Sequence, residues 1–289
     1  MNRTQNLLIN IFKNEKLDDY NGIGKGELIY TYKMQLFIIV CKSLEYKEKG
    51  IGINYERFKE EMTLLKYYLN GSNKALENFY KGNNYNEEDD SIIFRILPII
   101  ISNENNKIIE EEVIKNISKT TTNPKSILDG IISTYVFLEY LKSGSIDKEV
   151  IKEYIIKFSI KDYFEKLSFP DKKFILTFER ERIKLLEKID NNLNQLNSGL
   201  YNINENIEKN LNKDKYYKLI EDFSDFLLNL KRGSIDIESL EKSNSERKFK
   251  IREGNVFEHY LLGKSKIVKN DKSEFYVKTK YGLFKFRKL

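Results

Sequence analysis

The stretch from Tyr30 to Tyr46 constrains the fold most. Its centre, Met34-Gln35-Leu36-Phe37-Ile38-Ile39-Val40-Cys41, is apolar on nearly every side, and a helix that is hydrophobic all round must be covered all round. The run is shorter than the roughly 20 residues a membrane span needs, which predicts a helix at the centre of a protein core. Hydrophobic residues at 40% and charged residues at 33% supply enough apolar material to build that core and too much for a disordered chain. With 289 residues, one large helical core with an appendage fits the length as well as two domains do.

Further helices follow from periodicity and caps. A short opening helix is expected over Asn6 to Lys13, and another over Tyr55 to Leu69 with Asn54 as its cap. Glu110 to Ser118 reads as helical. Asn123-Pro124 is a cap and first-turn pair for a helix reaching about Leu141, with Ile127, Ile131, Tyr135 and Leu138 on one face. Lys148 to Lys157, Lys172 to Leu196 and about Asn204 to Leu230 are amphipathic. The pattern L-K-x-G-S-I-D occurs at Leu141 to Asp147 and at Leu230 to Asp236, each time as a glycine stop followed by an acidic start. Lys81 to Asp90 is turn-like. Ser91 to Ile101 fits a buried strand or a helix containing Pro98, and periodicity does not separate the two.

The last forty residues change character. Lys264 to Lys269, Glu274 to Lys280 and Tyr281 to Phe286 alternate with period two around turns at Asn270-Asp271 and Gly282, as in a small antiparallel meander. The expected fold is therefore all-α and mostly helical over 1–246, with a basic, β-rich appendage over 247–289. From Arg247 onward there are 13 Lys or Arg against 4 Asp or Glu, while the rest of the chain is slightly acidic. Such a tail suits an anionic partner or an exposed sheet face.

Little in the sequence carries chemistry outright. Cys41 is the only cysteine and sits in the apolar run, so an intrachain disulfide is impossible and a buried thiol is expected. His259 is the only histidine, which rules out a histidine metal cluster. The glycine-rich turn Asn21 to Gly26 lacks phosphate-loop spacing. No signal-peptide pattern is present at the start, so a cytoplasmic location with no membrane partner is expected. Abundant Lys, Asn, Ile and Tyr look like coding bias in an AT-rich genome, which lowers the weight of Lys and Asn runs. Carboxylates cluster at Asp18-Asp19, at Glu87-Glu88-Asp89-Asp90 and at Asp222 with Asp225; Glu87 to Asp90 has the strongest claim because it abuts an apolar run. Arg95, inside that run, calls for a buried acid, and Asp129 is the expected partner.

Three segments resemble the ADP-ribosylglycohydrolase family, helical dimagnesium enzymes that remove ADP-ribose from modified side chains. Thr31-Tyr32-Lys33-Met34-Gln35-Leu36 is similar to the family's Thr-Asp-Asp-Thr metal motif and the apolar helix after it. Asp89-Asp90-Ser91-Ile92-Ile93-Phe94-Arg95-Ile96-Leu97-Pro98 resembles its Ser-Asn-Gly-x-x-Met-Arg-x-x-Pro segment. Thr122-Asn123-Pro124 is similar to its Thr-His motif. The likeness covers roughly residues 20 to 145, and it implies orthogonally packed helices as in that family. Tyr32 and Lys33 stand where the family has metal-ligating aspartates, Asn123 stands for the histidine, and the late Gly-Asp-Thr-Asp-Thr motif is missing from the second half. A lysine cannot replace a carboxylate ligand.

The resemblance thus implies a pseudoenzyme with no metal and no cofactor. It would bind a protein partner or a nucleotide-like ligand in a remnant cleft lined by Tyr32, Lys33, Asp89, Asp90, Arg95 and Asn123. A second reading is nucleic-acid binding through Lys264, Lys266, Lys269, Lys278, Lys280, Lys285 and Arg287, with Tyr276, Tyr281 or Phe284 stacking on bases. A third is a divergent hydrolase with a relocated acidic site at Asp89 and Asp90.

Overall fold

The computed structural model describes residues 2–12, 15–17, 29–66, 69, 71–82, 86–166, 172–196, 215–235, 253–259, 263–272, 274–280 and 282–287. Helix α1 (Arg3–Phe12) is followed by two-residue strands β1 (Lys16–Leu17) and β2 (Ile29–Tyr30), which pair antiparallel. Then come α2 (Tyr32–Ser43), the hairpin β3 (Leu44–Lys47) and β4 (Gly50–Ile53), α3 (Tyr55–Leu65), α4 (Lys74–Lys81), α5 (Ile92–Ser102), α6 (Asn106–Ile117), α7 (Pro124–Ser143) and α8 (Lys148–Lys157). A 3₁₀ turn over Ile160–Lys166 leads to α9 (Lys172–Leu196) and α10 (Lys215–Lys231). The chain then forms the antiparallel sheet β5 (Val256–His259), β6 (Gly263–Asn270), β7 (Glu274–Thr279) and β8 (Gly282–Arg287), in that spatial order. A mostly helical body with a small C-terminal antiparallel sheet is thus what the sequence patterns predict. The sheet has one strand more, β5, than its alternation revealed.

The core is built on α2 and α5. Both are buried along nearly their whole length and pack on each other, and α5 also packs on α6, α7 and α10. Cys41 is buried in α2. Ser91 to Ile101 resolves as helix, with Pro98 in its interior. Proline has no N–H to give to the carbonyl one turn back, so the helix is held by burial on all sides rather than by local preference. Close packing of α7 on this centre depends on Gly130: a Cβ there would stand 2.3 Å from Ile117 Cδ1 and 2.9 Å from Ile92 Cγ2. An ion pair between Lys42 and Glu61, 2.7 Å apart and buried, ties α2 to α3.

The expected caps are in place. Asn54 accepts from the Arg57 N–H, Asn123 from the Ser126 N–H, and Asp147 from the N–H groups of Glu149 and Val150. Helix α7 closes on Gly144 in the left-handed region, with φ 84°. There the Arg3 guanidinium, reaching across from α1, donates to the carbonyls of Leu141 and Lys142. Helix α1 also packs along α10. Gly233 in the second L-K-x-G-S-I-D copy is left-handed as well. Asp236 of that copy, the Asn21–Gly26 turn, Asp18-Asp19 and residues 204–214 of the expected last helix lie outside the described residues.

Several boundaries moved. The helix expected over Tyr30 to Tyr46 ends at Ser43, because Leu44–Lys47 pairs with Gly50–Ile53. Asn103 locks that hairpin in place: its Oδ1 accepts from Ile51 N–H and its Nδ2 donates to the Ile51 carbonyl, both at 2.9 Å. The strand sends the Tyr46 hydroxyl to the Leu230 carbonyl at the end of α10. Helix α3 stops at Leu65 rather than Leu69. Helix α4, capped by Asn73 and closed by Gly82, was not anticipated from the pattern.

In the C-terminal sheet, Ile267, Phe275, Val277 and Phe284 are buried, and Phe284 joins the helical core. Strand β8 lies beside β2, and Lys280 bonds Asp222 on α10 at 2.9 Å. No helix among the described residues is long and apolar enough to cross a membrane.

Candidate functional site

The loop over residues 86–91, which leads into α5, organises the polar groups of the molecule. Asp89 points inward. Its carboxylate takes Arg95 Nη2 at 2.8 Å, the Thr120 hydroxyl at 3.0 Å, the Ser91 N–H at 2.9 Å and hydroxyl at 2.5 Å, and Asn73 Nδ2 at 3.2 Å. Arg95 spends Nη1 on the carbonyl and Oδ1 of Asn116. Both side chains are wholly buried. Burial alone would raise the Asp89 carboxyl, but Arg95 and the Ser91 and Thr120 donors outweigh it and hold it below the ordinary carboxylate range.

The expected partner of Arg95, Asp129, is corrected by this arrangement. Asp129 lies on α7 four residues after Lys125, and helical spacing turns it toward that lysine rather than into the core. Burial pushes its carboxyl up to about 6, Lys125 opposes the rise and Glu88 adds to it.

Asp90 points the other way. The Tyr32 hydroxyl donates to both its oxygens, at 2.7 and 2.9 Å, Asn73 Nδ2 donates to Oδ1, and Lys33 Nζ stands 3.4 Å from Oδ2. Lys33 also pairs with Glu15 at 3.3 Å, and Glu15 accepts from Thr31 Oγ1 at 2.7 Å. Gly71, at φ 131°, lets the chain pass over the Tyr32 ring where a Cβ would lie 2.6 Å from Cδ1. Burial and the Asp90 carboxylate both raise the Tyr32 phenol, which stays protonated and donating at neutral pH.

The residues present do not fit magnesium. A dinuclear site needs carboxylates whose charge is open to the metals, and here the Lys33 ammonium already lies between Glu15 and Asp90. Among the described residues, no three His, Cys, Asp or Glu side chains gather as a metal site.

On the far side of the same loop lies a cleft of about 580 Å³ between the start of α7 and α9, lined in part by Asn86, Glu88, Asn123, Lys125, Lys173 and Glu181. Asn123 holds its edge: Nδ2 donates to the Asn86 carbonyl, and its N–H bonds Thr121 Oγ1. Lys125 pairs with Glu88 at 2.9 Å and Glu181 with Lys184 at 2.7 Å. Of the six residues expected to share one cleft, the structure brings Tyr32, Lys33 and Asp90 into one cluster. It seals Asp89 and Arg95 beneath that cluster and places Asn123 at the separate cleft. Glu15 and Asn73 complete the cluster and were not foreseen. Asn73 carried a signal as a helix cap; Glu15 carried none.

On the sheet, Lys264, Lys266 and Lys278 are exposed, and Lys266 stands directly opposite Lys278 in the β6–β7 register. Lys269 pairs with Asp271 and Lys280 with Asp222. Tyr276 and Phe284 are buried and cannot stack on a base, which corrects that expectation. Tyr281 and the side chains of Lys285 and Arg287 lie outside what the structure describes. The chain matches no family model, no curated protein and no solved structure.

Proposed function

We propose that the chain is a non-catalytic, ADP-ribosylglycohydrolase-like binding protein that takes a nucleotide-like anion in the cleft between α7 and α9. The cleft carries the reading. Its volume of about 580 Å³ falls within the range of small-ligand sites, roughly 300–1,000 Å³. Lys173 faces it with no ion pair among the described residues, and Asn86, Asn123 and Thr177 add polar groups beside the Phe174 ring. The Lys33 ammonium supports the non-catalytic part, since it takes up the carboxylate charge that a metal would need.

Calorimetry of the full chain with ADP-ribose, run with and without magnesium, tests this. Binding that ignores magnesium and weakens at least tenfold in Lys173→Gln is expected. Turnover of the ligand, or binding that needs the metal, would overturn it.

A second reading rests on the sheet. Lys266 stands directly opposite Lys278 and both are exposed, so an anionic strand laid across β6 and β7 would meet both ammonium groups on one face. Titration with a single-stranded oligonucleotide across salt concentrations reads it. Changing Lys264, Lys266 and Lys278 to Gln should reduce the log–log salt slope by about 2, at roughly 0.7 per phosphate contact. An unchanged slope would sink this reading.

A further inference from the structure

Helix α9 turns one side to the body. Phe174 and Phe178 are buried, and Phe174, Thr177 and Glu181 line the cleft against α7. Helical spacing puts Leu176, Arg180 and Ile183 on the opposite side, where Leu176 is 68% exposed and Ile183 53%. These two lie one heptad apart, about 10 Å along the helix axis. Arg182 donates from Nη1 to the carbonyls of Ile155 and Ile156. That holds the last turn of α8, with Ile156 55% exposed, beside this part of α9. A lone exposed apolar side chain is ordinary. Here three of the six exposed large hydrophobic side chains among the described residues fall on one pair of packed helices.

The charge on this side is mostly positive. The side chains of Lys172 and Arg180 are exposed and make no ion pair among the described residues. Lys184 beside them gives its charge to Glu181 at 2.7 Å, and Glu187 is the one exposed acid among the described residues of α9. A phosphate backbone laid here would meet the cations and leave Leu176 and Ile183 uncovered. A second copy of the chain, related by a two-fold axis, would set Leu176 against Ile183, but Arg180, midway between them, would then face another Arg180 and be repelled. An amphipathic helix with acidic flanks answers both demands. Its apolar residues, one heptad apart, cover Leu176 and Ile183, and carboxylates beside them meet Lys172 and Arg180.

We propose that the outer side of α9, with Leu176 and Ile183 as apolar anchors and Lys172 and Arg180 as flanking cations, is a docking surface for an acidic amphipathic helix of a partner protein. The surface lies across α9 from the cleft, and the proposal does not depend on the reading of that cleft.

The test is fluorescence anisotropy of a labelled peptide titrated with the full chain. The probe is a helical peptide of three heptads with leucine at a and d and glutamate at e and g, the glutamates also keeping it from pairing with itself; its control carries lysine at e and g. Saturable binding of the acidic peptide is expected, with the lysine peptide at least tenfold weaker. Leu176→Glu and Ile183→Glu should each weaken binding about tenfold, and Arg180→Glu several-fold. All three positions are exposed, so folding is retained. Leu64→Glu, at an exposed site on α3, should leave binding unchanged. Absence of saturable binding, equal binding of the two peptides, or full binding by Ile183→Glu would overturn the proposal. Dimerisation in sedimentation that Leu176→Glu abolishes would overturn it in favour of a second copy of the chain, and capture of a single-stranded oligonucleotide that Arg180→Glu abolishes in favour of nucleic acid.

Discussion

Asp89 and Asp90 are the same residue one position apart, and the fold gives them opposite work. Asp89 is wholly buried against Arg95, surrounded by donors from Asn73, Ser91 and Thr120. Asp90 has a side chain that is 61% exposed and is reached by Tyr32, Lys33 and Asn73 from one side. A buried charge must be paired and fully bonded to survive, so Asp89 belongs to the scaffold and ties the loop before α5 to the end of α6. An exposed carboxylate can exchange partners at small cost, so Asp90 is the more replaceable of the two. Asn73 bonds both and couples the two.

The comparison can be broken most sharply at Arg95. Arg95→Met would leave Asp89 charged and buried without its cation, at a cost of about 3–5 kcal/mol; urea denaturation reads this, and a loss below about 1 kcal/mol would show that the pair is not structural.

A third carboxyl, Asp129, sharpens the comparison by its opposite sign. The folded state holds Asp129 near 6, above its unfolded value of 3.8, so its ionisation costs the fold. Stability present below pH 3.8 is lost as pH rises through about 6. Asp129→Asn should therefore stabilise the protein at neutral pH, by about 1–2 kcal/mol after allowing for its partial exposure. The gain over wild type should open between those two pH values in thermal melts. Asp89, held below its ordinary value, acts the other way: its contribution is present above that value and lost as pH falls through the lower, folded one. The smallest effect is at the surface, where Asp90→Asn should cost no more than about 1 kcal/mol by the same urea assay.

Which carboxylate would do which was not legible in the sequence. The pairing of Arg95 with some buried acid followed from one cation in an apolar run, but Asp129 was the wrong acid, since helical register turned it toward Lys125. The helical body was legible from periodicity and caps, with Asn54, Asn123-Pro124 and Asp147 each starting the helix they predict. Ser91 to Ile101 was ambiguous because its branched residues favour strand, and only packing on α2, α6 and α7 decides for helix. The β3–β4 hairpin was missed because the residue that locks it, Asn103, lies 52 positions from its partner Ile51 in sequence. The site was half legible: Tyr32, Lys33 and Asp90 meet, whereas Glu15, which completes their cluster, carried no pattern to betray it.

Helix α1 seats itself on α10 and caps the end of α7, and this fixes an order of events during synthesis. Leu7, Leu8 and Phe12 are buried on α1, but α10, which packs along that helix, begins about two hundred residues later at Lys215. At about 5–20 residues per second the wait is on the order of 10–40 s. For that interval α1 has only part of its cover, with Phe12 against Phe37 and Phe94 and the helix along α7, and the contacts with α10, of such long sequence separation, form late and slowly. The protein's exposure to misassembly is thus greatest before α10 is made, and a chaperone that holds α1 would be of most use to it then.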